Sequence, residues 1–268
     1  MKLVKFDMHC HTAEGSMDSH VSIEEYIRIL KSKGYRGMLV TDHDSYRGYL
    51  SYRGRHPKDK DFVVLCGIEY DTCEFGHMLV IMPSRFMPEV LEIKGLALGR
   101  LLKLVHFYGG IIGPAHPCGE RFLSFFTTGI FKRREKARFL SRFDFLEGYN
   151  ACENEEDNRS AMGVAKTYGL PALGGSDAHH RECVGMGYTM LPDTIRTEDD
   201  LIAWVKKKGE EISCGGRRFI GTTRDKLGIF NKILVGSFFF YNKLGALYRL
   251  PARRRALYKA IYEMGGIK

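Results

Sequence analysis

The sequence lacks the marks of an exported, cross-linked or membrane-spanning protein. Its seven cysteines, at 10, 66, 73, 118, 152, 183 and 214, are odd in number, and no two have the C-x-x-C spacing. That excludes a fully paired disulfide framework and a zinc ribbon, and it predicts reduced thiols. No run approaches the ~18 uncharged apolar residues of a spanning helix. Lys5, Asp7 and His9 interrupt the stretch where a signal core would lie. We therefore expect a soluble, unexported, cytoplasmic protein. No G-x-G-x-x-G follows the first strand-like run, so a dinucleotide site lacks its usual mark. Internal repeats and low-complexity tracts are also missing.

What is present is an ordinary globular composition, 44% apolar and 27% charged over 268 residues. A chain of this length buries a full core without disulfides. Its net charge of +9 is unevenly spread. Residues 216–268 hold 12 Lys and Arg against 2 Asp and Glu, which leaves residues 1–215 at a net −1. This division predicts a near-neutral body, 1–215, and a basic C-terminal extension, 216–268. A field of one sign bears on partners and encounter rates, not on fold.

The body alternates apolar strand-like runs with amphipathic helical ones. Strands are expected at Leu3–Phe6, Gly37–Thr41, Phe62–Gly67, His77–Met82, Gly110–Ala115, Phe143–Glu147 and Ala172–Gly175. Ser22-Ile-Glu-Glu25 is a capping box that opens a helix with Ile23, Tyr26, Ile27 and Leu30 on one face. Further helices are expected over Val90–Tyr108, Glu153–Tyr168 and Thr197–Lys208. Continuous apolar strands alternating with helices predict parallel strands covered on both faces. Seven such units predict a distorted (β/α)7 TIM-like barrel rather than an open sheet.

The metal-ligating side chains follow this pattern. His9 and His11 follow the first expected strand, His43 the second and Glu69 the third. His77 opens the fourth, His116 follows the fifth, Glu147 ends the sixth, and Asp177 and His179 follow the seventh. The strand C-termini of a parallel barrel converge on one rim, where active sites form. Imidazoles mixed with carboxylates suit Zn, Mn or Fe rather than Ca or Mg. With Asp18 or His20 added, the donors outnumber the four of one tetrahedral ion, which points to two or three divalent metal ions.

These residues resemble the polymerase-and-histidinol-phosphatase (PHP) family. The matching motifs are Asp7-Met-His9-Cys-His11-Thr12, Thr41-Asp42-His43, Gly67-Ile-Glu69, Ala115-His116-Pro117 and Gly175-Ser-Asp177-Ala-His179. Leu146-Glu-Gly-Tyr-Asn150 and the 185–189 stretch also fit. The resemblance spans residues 3 to about 190. It implies the distorted seven-stranded barrel, three metals and phosphoester hydrolysis. It implies a first metal on His9, His11, Glu69 and Asp177. Glu69 would bridge to a second, with His77 and His116. The third would lie on His43 and His179, with Asp18 or His20 completing it; Asp18 fits better, measured back from the helix cap. The implied chemistry is attack on phosphorus by a hydroxide bridging two metals, with Glu69, Asp177 and His179 as catalytic residues. Asp7 is expected to accept the second N–H of a metal-bound histidine rather than bind metal, a role open also to Asp42 and Glu147. Cys10 is expected as a small buried residue, and His56 and His106 have no motif support.

The expected substrate is a small phosphomonoester or a nucleotide, with short oligonucleotides within the same reading. Arg181, Arg121, His180 and Arg47 are its candidate contacts. Residues 121–142 interleave basic side chains with Phe122, Phe125, Phe126 and Phe131, a mix suited to phosphate contact and base stacking or simply to a solvated helix face. Nucleic acid is therefore open as a partner, and so is an oligomer. The apolar run Ile233–Tyr241 is flanked by Lys232 and Lys243. It suits a cover on the barrel or an oligomer contact, with a membrane-surface segment and a nucleic-acid contact as the other readings. Two rival functions are a C–N hydrolase, whose usual bridging lysine is replaced here by Glu69, and a non-catalytic metal-bound regulatory module.

Overall fold

The computed structural model describes residues 2–56, 61–84, 86–119, 123–128, 133–207, 213–227 and 230–265. The chain opens with β1 (Leu3–Cys10), α1 (Ile23–Ser32), β2 (Tyr35–Val40), α2 (Arg47–Arg55), β3 (Val63–Cys66), β4 (Ile68–Asp71) and β5 (His77–Ile81). A 3-10 turn (Glu89–Glu92) precedes α3 (Leu98–Phe107), β6 (Ile111–Pro114), α4 (Arg133–Leu140), β7 (Leu146–Asn150), α5 (Glu155–Tyr168) and β8 (Ala172–Gly175). Then come β9 (Gly187–Pro192), α6 (Glu198–Lys206), β10 (Cys214–Gly216), α7 (Thr223–Leu227), α8 (Asn231–Tyr248) and α9 (Leu250–Gly265).

The helix ends follow their capping chemistry. Ser22 accepts from the Glu25 N–H at the start of α1, and Thr197 and Asp200 form a reciprocal capping box at α6. Gly169, at φ 61°, closes α5 in the left-handed conformation that glycine adopts without cost. The expected single helix over Val90–Tyr108 is instead the 3-10 turn and α3, separated at Gly95. Gly95 sits at φ +95°, outside the right-handed helical region, so the helix does not continue through it.

The strands form three sheets, in the orders β10-β9-β1-β2-β3, β4-β5-β6 and β7-β8. Among the described residues no ladder closes them into a barrel, and the expected set of seven parallel strands is corrected in two places. The run read as one strand at Phe62–Gly67 continues past Gly67 into β4, which belongs to another sheet. β5 is antiparallel to both β4 and β6, because the connection from Asp71 to His77 is too short for a crossover. β9 and β10 add antiparallel strands at the β1 edge.

The sheets nevertheless share one interior. Phe6, Leu39, Leu65, Leu79, Ile111 and Leu173, drawn from all three, belong to one fully buried cluster. Each such side chain contributes about 1.5–3 kcal/mol by leaving water. Phe6 and Met8 of β1, the strand that also carries His9, join this cluster. No helix among the described residues is long and apolar enough to cross a membrane.

Candidate metal centre

β1 delivers His9 at a break in its register with β2, between Asp7 and Cys10, the kind of irregularity that re-aims side chains. His9 Nε2 and His11 Nε2 are 3.0 Å apart. Glu69 Oε2 lies 3.4 Å from the first and 3.2 Å from the second. Asp177 Oδ1 lies 3.5 Å and 3.1 Å from the same two atoms. The other oxygen of Glu69, Oε1, is 3.0 Å from His77 Nδ1 and 2.9 Å from His116 Nε2. Asp18 Oδ2 lies 3.5 Å from His43 Nε2 and 3.4 Å from His179 Nε2. The structure thus draws all nine expected donors into three adjoining groups. It brings Asp18, not His20, to the third: the His20 ring stacks on His180 instead, with centroids 5.2 Å apart.

His77 is the one donor at a strand start. The reversal of β5 accounts for it, since an antiparallel strand begins at the rim where its parallel neighbours end.

These residues fit divalent cations on an observation of their own. Glu69 Oε2 is buried and has no hydrogen-bond partner, although it faces His9, His11 and His43 Nδ1, the last at 3.0 Å. A buried carboxylate oxygen left this way is costly unless a cation satisfies it. Donor atoms of His9, His11 and Glu69 all lie within 4.8 Å of one another, as do those of His43, Glu69 and His77 and those of His11, His43 and His179.

The surrounding side chains orient the rings. His9 Nδ1 is 2.9 Å from Glu147 Oε1, His11 Nδ1 is 3.1 Å from Ser16 Oγ, and His116 Nδ1 is 3.1 Å from Ser124 Oγ. Ser16 in turn donates to Asp42 Oδ1 at 2.9 Å, so Asp42 reaches His11 through a hydroxyl. Asn150 Nδ2 donates to Asp177 Oδ2 at 3.0 Å. Asp7 does not take the expected part. It accepts from the Ser176 N–H and from the Ser176 and Tyr26 hydroxyls, which ties β1 to the segment after β8 that carries Asp177. Ser16 and Ser124 were missed because neither sits in a motif; only their place in the loops after β1 and β6 marks them.

Electrostatics follow from crowding. Burial opposes charge on the His11 ring, yet Asp177 and Glu69 hold it up at about 10; His116 is held at about 9 against burial, chiefly by Glu69. Burial likewise opposes ionisation of Glu69, but His77, His9 and His43 hold its carboxyl well below the usual range. Backbone strain collects here too. Among the described residues, the only non-glycine positive φ angles are at Asp44 (46°), His116 (28°) and Asp177 (50°). Such outliers persist where surrounding structure imposes them.

The candidate substrate contacts fare differently. Arg181 lies on the rim, 64% exposed, 3.8 Å from Glu25. His180 flanks His179, and Arg47 opens α2 with an exposed side chain. Arg121, Phe122 and Phe131 lie outside the described residues. In the same segment, Phe125 is fully buried against Phe75 and Phe143, and Lys136 Nζ donates to the Phe126 and Thr128 carbonyls. Those two serve packing, not phosphate or base contact. Cys10 is buried in the core, as expected, while His56 pairs with Glu24 and His106 with Asp144.

Comparison with known proteins bears on the fold and the family. In fold the chain is similar to PsfC from Pseudomonas syringae PB-5123, at 18% identity and a TM-score of 0.60, over 89% of this chain and 100% of that one. It is similar to a Bifidobacterium adolescentis protein to which metal-dependent phosphoesterase activity has been ascribed, at 14% identity and a TM-score of 0.54, over 76% and 96%. It is also similar to Endonuclease Q in complex with a 27-mer duplex bearing an abasic lesion at the active site, at 18% identity and a TM-score of 0.56, over 82% and 59%. No curated protein matches the sequence significantly. A PHP-associated family model matches residues 155–208. The PHP domain model matches residues 7–156, more than half of the chain, and the protein therefore belongs to the PHP family of metal-dependent hydrolases.

Proposed function

We propose that this protein is a metal-dependent phosphoesterase acting on a small phosphomonoester or a nucleotide. The observation that carries the reading is the use of both Glu69 oxygens, one toward His9 and His11 and the other toward His77 and His116. A carboxylate shared in this way would hold two divalent ions side by side, with Asp177 completing the first. Asp18, His43 and His179 would hold a third. Bound there, such ions supply Lewis acidity toward phosphoryl oxygens and a water that ionises near neutral pH. We read the three sheets around one core as a broken form of the seven-unit barrel.

The chain's own residues have two tasks. Glu147 and Ser16 with Asp42 hold the Nδ1–H tautomers of His9 and His11, and Ser124 orients the His116 ring, so that each ring presents its other nitrogen inward. The second task is access. His9, His11 and Glu69 are sealed from solvent, whereas Asp18 is 52% exposed and His43 and His179 about a quarter exposed. Substrate would therefore reach the centre from the Asp18 side, past His180 and Arg181. Arg47 and Arg121 remain candidates for the same anion. The DNA held by Endonuclease Q, similar in fold, keeps short oligonucleotides within the substrate range.

Elemental analysis of the purified protein, run beside a phosphate-release screen over nucleotides, sugar phosphates and short oligonucleotides, tests the proposal. Two to three Zn, Mn or Fe per chain is expected, with turnover of one class that His9→Ala and His11→Ala abolish. Metal bound without phosphate release from any of them would overturn the reading in favour of a binding module or a C–N hydrolase.

A further inference from the structure

The C-terminal helices carry an apolar face that the body does not use. In and just before α8, Phe230, Ile233, Tyr241, Leu244, Leu247 and Tyr248 are 66–88% exposed and fall along one side of the helix. The opposite side is held to the body. Asn242 is buried and accepts from Lys94 Nζ at 3.0 Å, Ala246 is buried, and Lys243 Nζ donates to the Thr72 carbonyl at 2.9 Å. α9 is anchored in the same way: Arg253 is buried with Nη1 donating to the Lys94 and Ala246 carbonyls, and Ala256 and Ala260 pack inward. Its outer side shows Arg254, Arg255 and Lys259 among Tyr258 (71% exposed) and Tyr262 (85%).

We propose that this face of α8 and α9 seats the protein on an anionic lipid surface. Apolar side chains gathered on one exposed helix face mark a partner rather than a solvated surface. Charge decides which partner. The extension carries a net +10 and the body −1, so neither the same face of a second copy nor the body surface complements it. A sheet of anionic headgroups complements the arginines, while the acyl boundary accepts Leu244, Leu247 and Ile233. Tyrosines, apolar in body and polar at the tip, suit the level between them. Neither helix is long and apolar enough to cross a bilayer, so the contact is one of lying on the surface. The proposal is independent of the reaction at the metal centre.

The test is sedimentation of the full chain with vesicles of phosphatidylcholine alone and of phosphatidylcholine with phosphatidylserine. The expected result is binding to the phosphatidylserine vesicles only, weakening as salt is added. Leu244→Gln with Leu247→Gln, a change to a good helix former, should abolish it. Arg254→Gln and Arg255→Gln should weaken it about fivefold for each charge removed. Should the leucine pair fail to keep its helix signal in circular dichroism, the arginine variants and the salt dependence still decide the matter, since they leave the apolar face whole. Binding to neither vesicle, equal binding to both, or tighter binding of duplex DNA than of anionic vesicles would overturn the proposal. So would a concentration-dependent dimer that the leucine substitutions dissociate, which would make a second copy the occupant.

Discussion

His9 Nδ1 lies 2.9 Å from Glu147 Oε1, a buried pair joined across 138 residues of chain. Glu147 also accepts from the His116 backbone N–H and from Asn150, so one carboxylate steadies two candidate ligands. Glu147→Gln keeps the size but gives up the charge and one acceptor position. We expect metal affinity to fall about 10–100-fold with the fold retained. Competition against a chromogenic chelator measures it, and an unchanged affinity would remove Glu147 from the site.

Asp18 and His20 make a paired comparison. Asp18 faces His43 and His179, whereas His20 stacks on His180. Asp18→Ala should lower the bound metal by one ion per chain, while His20→Ala should leave the stoichiometry intact. The opposite pattern in elemental analysis would exchange their roles.

Removing metal should change how stability depends on pH. Without an ion, the carboxylates raise His11 from 6.5 to about 10 and His116 to about 9, both against burial. A raised histidine stabilises the fold fully below its unfolded value of 6.5 and loses that contribution as pH climbs through the folded value. The chelator-treated protein should therefore melt at progressively lower temperature from pH 6.5 toward 10. Titrating Zn or Mn into it near pH 8 should release protons, because the ligating rings must be neutral. Calorimetry in buffers of different ionisation enthalpy reads that release. A melting temperature flat across the window would contradict the assignment.

Gly175 closes β8 directly beneath the first histidine. A Cβ there would stand 2.4 Å from the His9 nitrogen and 2.5 Å from its Cβ. Gly175→Ala should cost about 1–3 kcal/mol through overpacking and displace His9. Thermal unfolding should show the loss, and metal binding should weaken in the same variant.

The motif residues were legible because their chemistry is local: a histidine pair two residues apart on a strand places both rings on one face whatever surrounds it. Asp18 against His20 was not, because the choice depends on how a loop folds over β1. The backbone N–H of His20 donates to the His179 carbonyl, which turns its ring outward and leaves Asp18 facing the centre. The part of Glu147, rather than Asp7, was hidden for a similar reason. Both carboxylates end or line strands, and only the packing of β8 between β1 and β7 shows which one meets the His9 ring. The Lys136 and Phe125 side chains looked functional from composition alone, and burial shows them structural.

By itself the sequence marked eight of the nine candidate donors, the family and the alternation of strands and helices, since these rest on residue type and short-range periodicity. It also marked the basic extension, because charge is additive along a chain. Only the tertiary structure decided the three sheets, the reversal of β5 and the drawing of the nine candidate donors into three adjoining groups. It alone decided which side of α8 meets water. Those depend on contacts between residues far apart in the chain, where backbone hydrogen bonding, burial and the geometry of short connections choose among arrangements that the local pattern leaves equal.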